Sequence, residues 1–512
     1  MTARPPQLRA TPTAPPFERQ GLHVMAKPIG PICNLDCEYC YYLHKEDLYP
    51  GTKSWRMPGE TLERYIRQLI EAQPAGTPEI TFAWQGGEPT LLGVPFFERV
   101  VALQREHAPR GVKIVNTLQT NGTLLDDGWI DLFREHNFLI GLSVDGPADL
   151  HDRYRYDKHG RGSFGDVLRG LKRLKAGGIE FNALVVVNRH NGDHGRRVYT
   201  YLRDNGVEFL QFIPIVERRG IGMHAEPLVQ LEGDRSLVSG RLSLASDQRA
   251  VESPNTRYAI PNDKSPPSPD SALVSTRSVL PEQFGRFLIE VFDEWVRRDV
   301  GGVFVQIFDQ ALSAWMGMEP SLCVFRKQCG RALAIEHNGD LFSCDHFVEP
   351  EYRLGNIHEL PIVEMANSDQ QRAFGEAKES TLPRYCRECD VRFVCNGECP
   401  KNRFIETPDG ESGLNYLCAG YKSFFRHIGP AMEMMAEELR AGRAAANVMA
   451  RLRGQSPPRQ ATIGSARTAA SGLRGGGARA TARNSPRPTP PRANDFCPCG
   501  SGKKYKKCCG RE

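Results

Sequence analysis

Cys33, Cys37 and Cys40 form the run C-x3-C-x2-C, and their number is what makes them chemically informative. Three thiolates hold three corners of a four-iron cluster and leave one iron open to a further ligand, whereas a structural cluster is normally closed by four cysteines. A zinc ion would also accept three thiolates if His44 completed the set, and on spacing alone that alternative stays open. A second concentration lies far downstream: Cys323, Cys329 and Cys344, then Cys386, Cys389, Cys395 and Cys399, and nineteen residues on Cys418. Eight cysteines suffice for two closed four-ligand sites, of zinc or of iron and sulfide. The last four, Cys497, Cys499, Cys508 and Cys509, flank a short Gly-turned, Lys-rich loop and suit tetrahedral zinc. Tight grouping of this kind in an apparently cytoplasmic chain argues for metal ligation over disulfides.

Other residues with chemical potential sit where strands are expected to end. Gly86-Gly87-Glu88-Pro89 offers two glycines that let the backbone approach a ligand closely, and a carboxylate able to accept from an ammonium group. Gln119-Thr120-Asn121-Gly122 and Ser143-Val144-Asp145-Gly146 end two further strands in short polar side chains and a turn. Arg155 supplies a guanidinium for an anion.

Six β-type runs must position these groups, near residues 23–28, 79–84, 113–119, 138–144, 180–187 and 209–215, and segments of helical period alternate with them. Leu62, Ile66, Leu69 and Ile70 share one helical face, and residues 164–175 behave alike. Repeated strand–helix units imply a parallel sheet, and six of them a partial (β/α)6 barrel of the TIM type, whose active-site mouth lies at the strand C-termini. The expected organisation is a Pro-rich N-terminus at 1–20, the barrel at 21–216, a variable insertion at 217–280, a cysteine-rich domain at 281–430 opened by a helix over 281–298, a helix then basic linker at 431–493, and a terminal zinc motif at 494–512.

Composition bounds the function classes. The net charge of +5 hides a split, because 16 of the 66 Lys/Arg but only 2 of the 61 Asp/Glu follow residue 438. The body is acidic, and the basic tail reads as a solvated tether. Nucleic acid is not an expected partner. No run of about 18 apolar residues occurs and the first twenty residues lack the apolar stretch of a signal peptide, so no membrane partner and a cytoplasmic location are expected.

The triplet, with residues 26–33 reading Ala-Lys-Pro-Ile-Gly-Pro-Ile-Cys before it and Tyr41-Tyr42 after it, resembles the radical S-adenosylmethionine (SAM) superfamily, and most closely its anaerobic sulfatase-maturating enzymes. The resemblance covers about residues 21–429. It implies that the open iron is chelated by SAM, whose cleavage gives a 5′-deoxyadenosyl radical, with contacts from Tyr39, Gly86, Gly87, Glu88, Pro89, Gln119, Asn121, Ser143, Arg155 and Ile213. The downstream cysteines resemble the SPASM extension of peptide-modifying radical enzymes. Carried over by position, Cys323, Cys329, Cys344 and Cys399 hold a first auxiliary 4Fe-4S cluster, and Cys386, Cys389, Cys395 and Cys418 a second; spacing alone would place Cys399 with the nearer group.

Asp345, next to a cluster ligand, is the expected catalytic base: hydrogen loss from Cβ of Cys or Ser leaves a radical that sheds its electron readily only when the thiol or hydroxyl proton is accepted too. The implied product is Cα-formylglycine in a sulfatase. Implied partners are a sulfatase or other peptide substrate and a redox donor such as flavodoxin or ferredoxin, with three 4Fe-4S clusters, SAM and one Zn2+ as cofactors. The tail cysteines resemble the SEC-C zinc motif, a partner-binding module. Two alternatives stand beside this reading, a SPASM maturase that crosslinks or otherwise modifies a ribosomal peptide, and an inactive zinc-rich adaptor.

Overall fold

The computed structural model describes residues 20–219 and 273–455. The tail cysteines Cys497, Cys499, Cys508 and Cys509, most of the 217–280 insertion and the side chain of His44 lie outside the described residues.

The expected partial barrel is present. Strands β1 (His23–Lys27), β2 (Glu79–Trp84), β3 (Lys113–Thr120), β4 (Leu139–Ser143), β5 (Phe181–Val187) and β6 (Phe209–Pro214) run parallel in chain order. Helices α1 (Gly59–Glu71), α2 (Val94–His107), α3 (Asp127–Glu135), α4 (Ala148–His151), α5 (Phe164–Ala176) and α6 (Gly195–Asp204) connect them. Each helix buries one stripe; on α1 it is Leu62, Tyr65, Ile66, Leu69 and Ile70, worth roughly 1.5–3 kcal/mol per large apolar side chain.

The pleat sorts the strand residues into two environments. Phe82 and Trp84 pack on Tyr65 of α1, and Trp84 also on Phe97 of α2, while Asn116 bonds Gln104 of α2 at 2.8 Å. Residues of the other parity therefore face inward. These include Gln85, Gln119, Ser143, Gln211 and Ile213, all half-buried.

The sheet does not stop at six strands. Helix α7 (Pro281–Arg298) leads to β7 (Phe304–Val305), which pairs parallel to β6. On the opposite edge β8 (Ala332–Glu336) pairs parallel to β1, and β9 (Asp340–Phe342) and β10 (Arg353–Asn356) continue antiparallel. The result is one ten-stranded sheet. The stems of the insertion also pair, Arg219 N–H donating to Leu273 O at 2.9 Å and Ser275 N–H to Glu217 O at 2.8 Å.

Beyond α8 (Gln306–Trp315) the cysteine-rich half is built of short pieces: α9 (Ile362–Ala366), α10 (Asp369–Ser380), α11 (Arg384–Arg387), α12 (Arg392–Cys395), the hairpin β11 (Arg403–Glu406) and β12 (Ser412–Asn415), then the long α13 (Cys418–Arg440). Helix α13 crosses α7 where Gly285 meets Gly420; a Cβ on Gly285 would lie 2.8 Å from the Gly420 backbone. That close crossing fixes the first turn of α13, and with it Cys418.

Candidate active site and auxiliary metal centres

The cysteine loop leaves β1 and is laced to the strand ends around it. Gly87 and Glu88 N–H donate to Gly30 O and Ile32 O at 2.8 and 2.9 Å, and Asp36 and Glu38 N–H to Tyr156 O and Tyr154 O at 2.8 and 2.9 Å. Asn121 Nδ2 donates to Asn34 Oδ1 at 2.9 Å, and Asn34 Nδ2 to Thr123 Oγ1 at 2.8 Å. Burial, with Glu88 nearby, pushes the Cys33 thiol up to about 12, and burial pushes Cys37 to about 12 despite Arg155. Bare thiolates are costly in such a place, and a bound metal supplies the positive charge that offsets the cost.

The Gly86-Gly87 turn packs directly on the cysteine loop, since a Cβ on Gly87 would fall on the Ile32 carbonyl oxygen. Glu88 was expected to accept from an ammonium group. In the structure it is 1 % exposed, and its carboxylate accepts from Thr90 N–H at 3.0 Å, Thr90 Oγ1 at 2.6 Å, Thr120 Oγ1 at 2.7 Å and Asn121 N–H at 2.7 Å. It ties β3 to the Gly-Gly turn, and Pro89 opens a short helical turn beneath it. Asn121 likewise serves the cysteine loop. Gln119, Ser143 and Ile213 face the lumen, and Phe212 packs outward on Phe287 of α7. Tyr39 and Arg155 are buried together: Arg155 Nη1 donates to Tyr39 Oη at 3.0 Å, Tyr39 donates to Asp145, and Arg155 lies 3.9 Å from Asp145. Asp145 Oδ1 also accepts from Val186 N–H at 2.9 Å, which ties the set to β5.

Asp345 meets this loop from the other half of the chain. Tyr41 Oη donates to its Oδ2 at 2.8 Å, and its Oδ1 pairs with Lys27. Lys27 is fully buried at the end of β1; it also donates to Gln85, which bonds Gln119 at 2.5 Å, and its Nζ lies 4.6 Å from the Tyr42 ring centre. Burial would raise the Asp345 carboxyl, but Lys27, His346 and the hydrogen bonds from Lys27 and Tyr41 outweigh it and hold it below its ordinary value. The outcome is an ionised, aimed carboxylate beside the lumen. Lys27, Gln85 and Asp145 were absent from the sequence-derived site. The available signal was a lysine directly after Val24, Met25 and Ala26 at the end of a strand.

The downstream cysteines fall into two groups. Cys344 feels the charges of Cys399 and Cys323, and Cys329 that of Cys323. Cys395 feels Cys418 and Cys386, and Cys418 feels Cys386 and Cys389. Cys386, Cys389, Cys395 and Cys418 line one cavity with Tyr385, Tyr421 and Lys422. All eleven described cysteines are free thiols. The four thiols lining that cavity are a donor set that suits a closed four-cysteine iron–sulfur cluster.

Comparison with known proteins gives a consistent picture. The radical SAM superfamily model matches residues 28–202, the SPASM iron–sulfur cluster-binding domain residues 323–390, and the SEC-C motif residues 494–511. The chain is 44 % identical over 446 residues to the serine-type anaerobic sulfatase-maturating enzyme of Bacteroides thetaiotaomicron, covering 87 % of this chain and 98 % of that protein. It is 30 % identical over 422 residues to the cysteine-type enzyme of Clostridium perfringens, covering 82 % and 99 %. The solved structure of native anSMEcpe with bound AdoMet and peptide matches at a TM-score of 0.65 and 29 % identity, covering 82 % of this chain and 99 % of that one.

Proposed function

This chain belongs to the anaerobic sulfatase-maturating enzymes of the radical SAM superfamily, oxidoreductases that turn a Cys or Ser side chain of a sulfatase into Cα-formylglycine, and on that premise we propose that Asp345 is the base of the oxidation. The observation that carries it is the buried Lys27–Asp345 pair, set directly after Cys344 and bonded to Tyr41 of the cysteine loop. Cys33, Cys37 and Cys40 hold the catalytic cluster, Cys323, Cys329, Cys344 and Cys399 the first auxiliary cluster, and Cys386, Cys389, Cys395 and Cys418 the second. When bound, these groups and SAM supply a radical that takes a hydrogen atom from the substrate Cβ and a nearby acceptor for one further electron.

The protein's own part is positioning and proton transfer. Gln119, Ser143 and Ile213 face the lumen and would hold SAM there, Ser143 as a hydroxyl donor for its carboxylate, and the Tyr39–Asp145–Arg155 set places a cation beside Cys37. Asp345 takes the hydroxyl or thiol proton as the Cβ radical loses its electron; a serine alcohol then becomes the aldehyde directly, and a cysteine thiol becomes a thioaldehyde that water converts to it with release of hydrogen sulfide. Lys27 keeps that carboxylate charged and fixed in direction. The difference between 44 % identity to a serine-type and 30 % to a cysteine-type relative supports serine as an accepted target. A flavodoxin or ferredoxin is the fitting electron donor. The 494–512 motif is proposed to bind zinc and a protein partner, and the cytoplasm is the proposed location, where thiols stay reduced. No helix among the described residues is long and apolar enough to cross a membrane.

The test is anaerobic turnover of the reconstituted full chain with SAM, a one-electron reductant, and paired sulfatase peptides bearing Ser or Cys at the target. An aldehyde that traps with a hydrazide, formed in step with 5′-deoxyadenosine, is expected from both peptides. A crosslinked or epimerised peptide without aldehyde would overturn the reading in favour of a peptide maturase.

A further inference from the structure

Cys395 and Cys399 lie four residues apart in the chain but belong to different ligand groups, so the residues between them tie the two auxiliary sites together. That link has an unusual backbone. Asn396, Gly397 and Glu398 all have left-handed conformations, with φ of +46°, +72° and +52°. Only the middle one is a glycine, and non-glycine residues adopt this region at a cost that the surroundings must offset.

The offsetting partner is Arg403, at the start of β11. Its Nε donates to Gly397 O at 2.9 Å, its Nη2 to Asn396 O and Glu398 O at 3.0 Å each, and its Nη1 to Lys378 O at 2.5 Å. One guanidinium therefore holds all three carbonyls of the link, a use of its planar fork that an ammonium cannot reproduce. The flanks are pinned as well. Asn396 Nδ2 donates to Phe325 O at 2.8 Å, two residues from Cys323 of the first group. Glu398 Oε2 accepts from Asn415 Nδ2 at 2.6 Å, three residues before Cys418 of the second. Lys378 is fully buried and donates to Cys323 O at 2.5 Å and Val324 O at 2.9 Å, so the Arg403 contact with Lys378 O continues into the first group. A Cβ on Gly397 would lie 2.8 Å from Arg403 Nη2 and would strike Leu382.

We propose that Arg403 is a positioning residue common to both auxiliary sites: it locks the left-handed 396–398 link so that Cys395 and Cys399 are presented together, and the two sites assemble and fail as one unit. This rests on the reading that the two cysteine groups each hold a cluster. The independent alternative is two separate sites that share only a sequence neighbourhood.

Iron and acid-labile sulfide content decides between them, measured in the full chain carrying Cys33→Ala, Cys37→Ala and Cys40→Ala so that only the auxiliary sites load. That background should hold about eight irons. Adding Arg403→Lys, which keeps the charge and loses the fork, should remove most iron from both sites together. Cys386→Ala with Cys389→Ala, which removes two ligands of the second site and leaves Arg403 intact, should likewise take iron from both sites, and about four irons retained there overturns the coupling. Retention of about four or about eight irons in the Arg403→Lys protein overturns the proposal. A background that takes up no iron overturns the cluster reading itself and this proposal with it. If Arg403→Lys is insoluble, stepwise loading of the apo background with ferrous iron and sulfide decides: a single transition from none to about eight supports the coupling, and a populated four-iron species overturns it.

Discussion

Replacing Asp345 with Asn keeps the shape of the side chain and removes its charge. A positioned general base contributes roughly 10²- to 10⁴-fold to a rate, or about 3–5 kcal/mol at 1.36 kcal/mol per decade. The same change strands the fully buried Lys27 opposite a neutral amide, at a position only 18 % exposed; removing one member of a buried pair costs about 3–5 kcal/mol of stability. Against a total of about 5–15 kcal/mol, unfolding could imitate lost catalysis, so a second variant is needed. Lys27→Met with Asp345→Asn removes both charges at similar volume and should recover most of the stability, since a buried pair replaced by apolar groups is often neutral. The assay is the ratio of formylglycine to 5′-deoxyadenosine in single turnovers, with thermal melting of each variant. We expect the ratio to fall at least 10²-fold in both variants, while melting falls in the single and returns in the double. A ratio that is unchanged in the single variant, or restored in the double, would refute Asp345 as the base. The depressed carboxyl adds a sign: its folded-state charge contributes stability above the ordinary carboxylate range, lost only as pH falls through its lowered value, so the ratio should stay level from pH 8 to pH 6.

Gly87→Ala should displace the backbone of residues 31–32, since its Cβ meets only main-chain atoms there; the expected result is loss of about four of about twelve irons and about 1–3 kcal/mol of stability, while Gly59→Ala, which meets nothing within 4 Å, retains all of them. Asp309 on α8 is raised to about 6 by burial. A raised carboxyl favours the folded state at low pH, and that contribution is lost as pH rises through about 6; Asp309→Asn should therefore raise the melting temperature more at pH 7.5 than at pH 5, and an equal gain at both would show that the carboxyl does not titrate there.

The barrel strands were legible because parallel strands buried under helices read as short apolar runs, and turn residues mark where they stop. The six expected runs match β1–β6 to within two residues at either end. Helix α7, from Pro281 to Arg298, was legible for a similar reason: its apolar residues recur at helical spacing behind a proline at the first turn. What escaped was every feature that depends on a partner far away in the chain. Nothing local in residues 332–336 says that β8 lies beside β1, because an apolar five-residue run pairs equally well with many edges.

That one pairing organises the centre of the molecule. With β8 aligned in register on β1, Lys27 stands opposite Glu336, Tyr42 of the cysteine loop donates to Glu336, and the chain continuing past β9 carries Asp345 to Lys27. Asp345, its counter-charge and the cysteine loop thus come from two segments more than 300 residues apart in sequence. Family resemblance points to Asp345 by position; the charge paired with it is Lys27, whose type is the only local clue: a lysine is almost never fully buried unless paired. Glu88 shows the converse. A carboxylate beside two glycines suggests a ligand when only the neighbours in sequence are known, and in the fold it also accepts from Thr120 and Asn121 at the end of β3, 32 and 33 residues further along the chain.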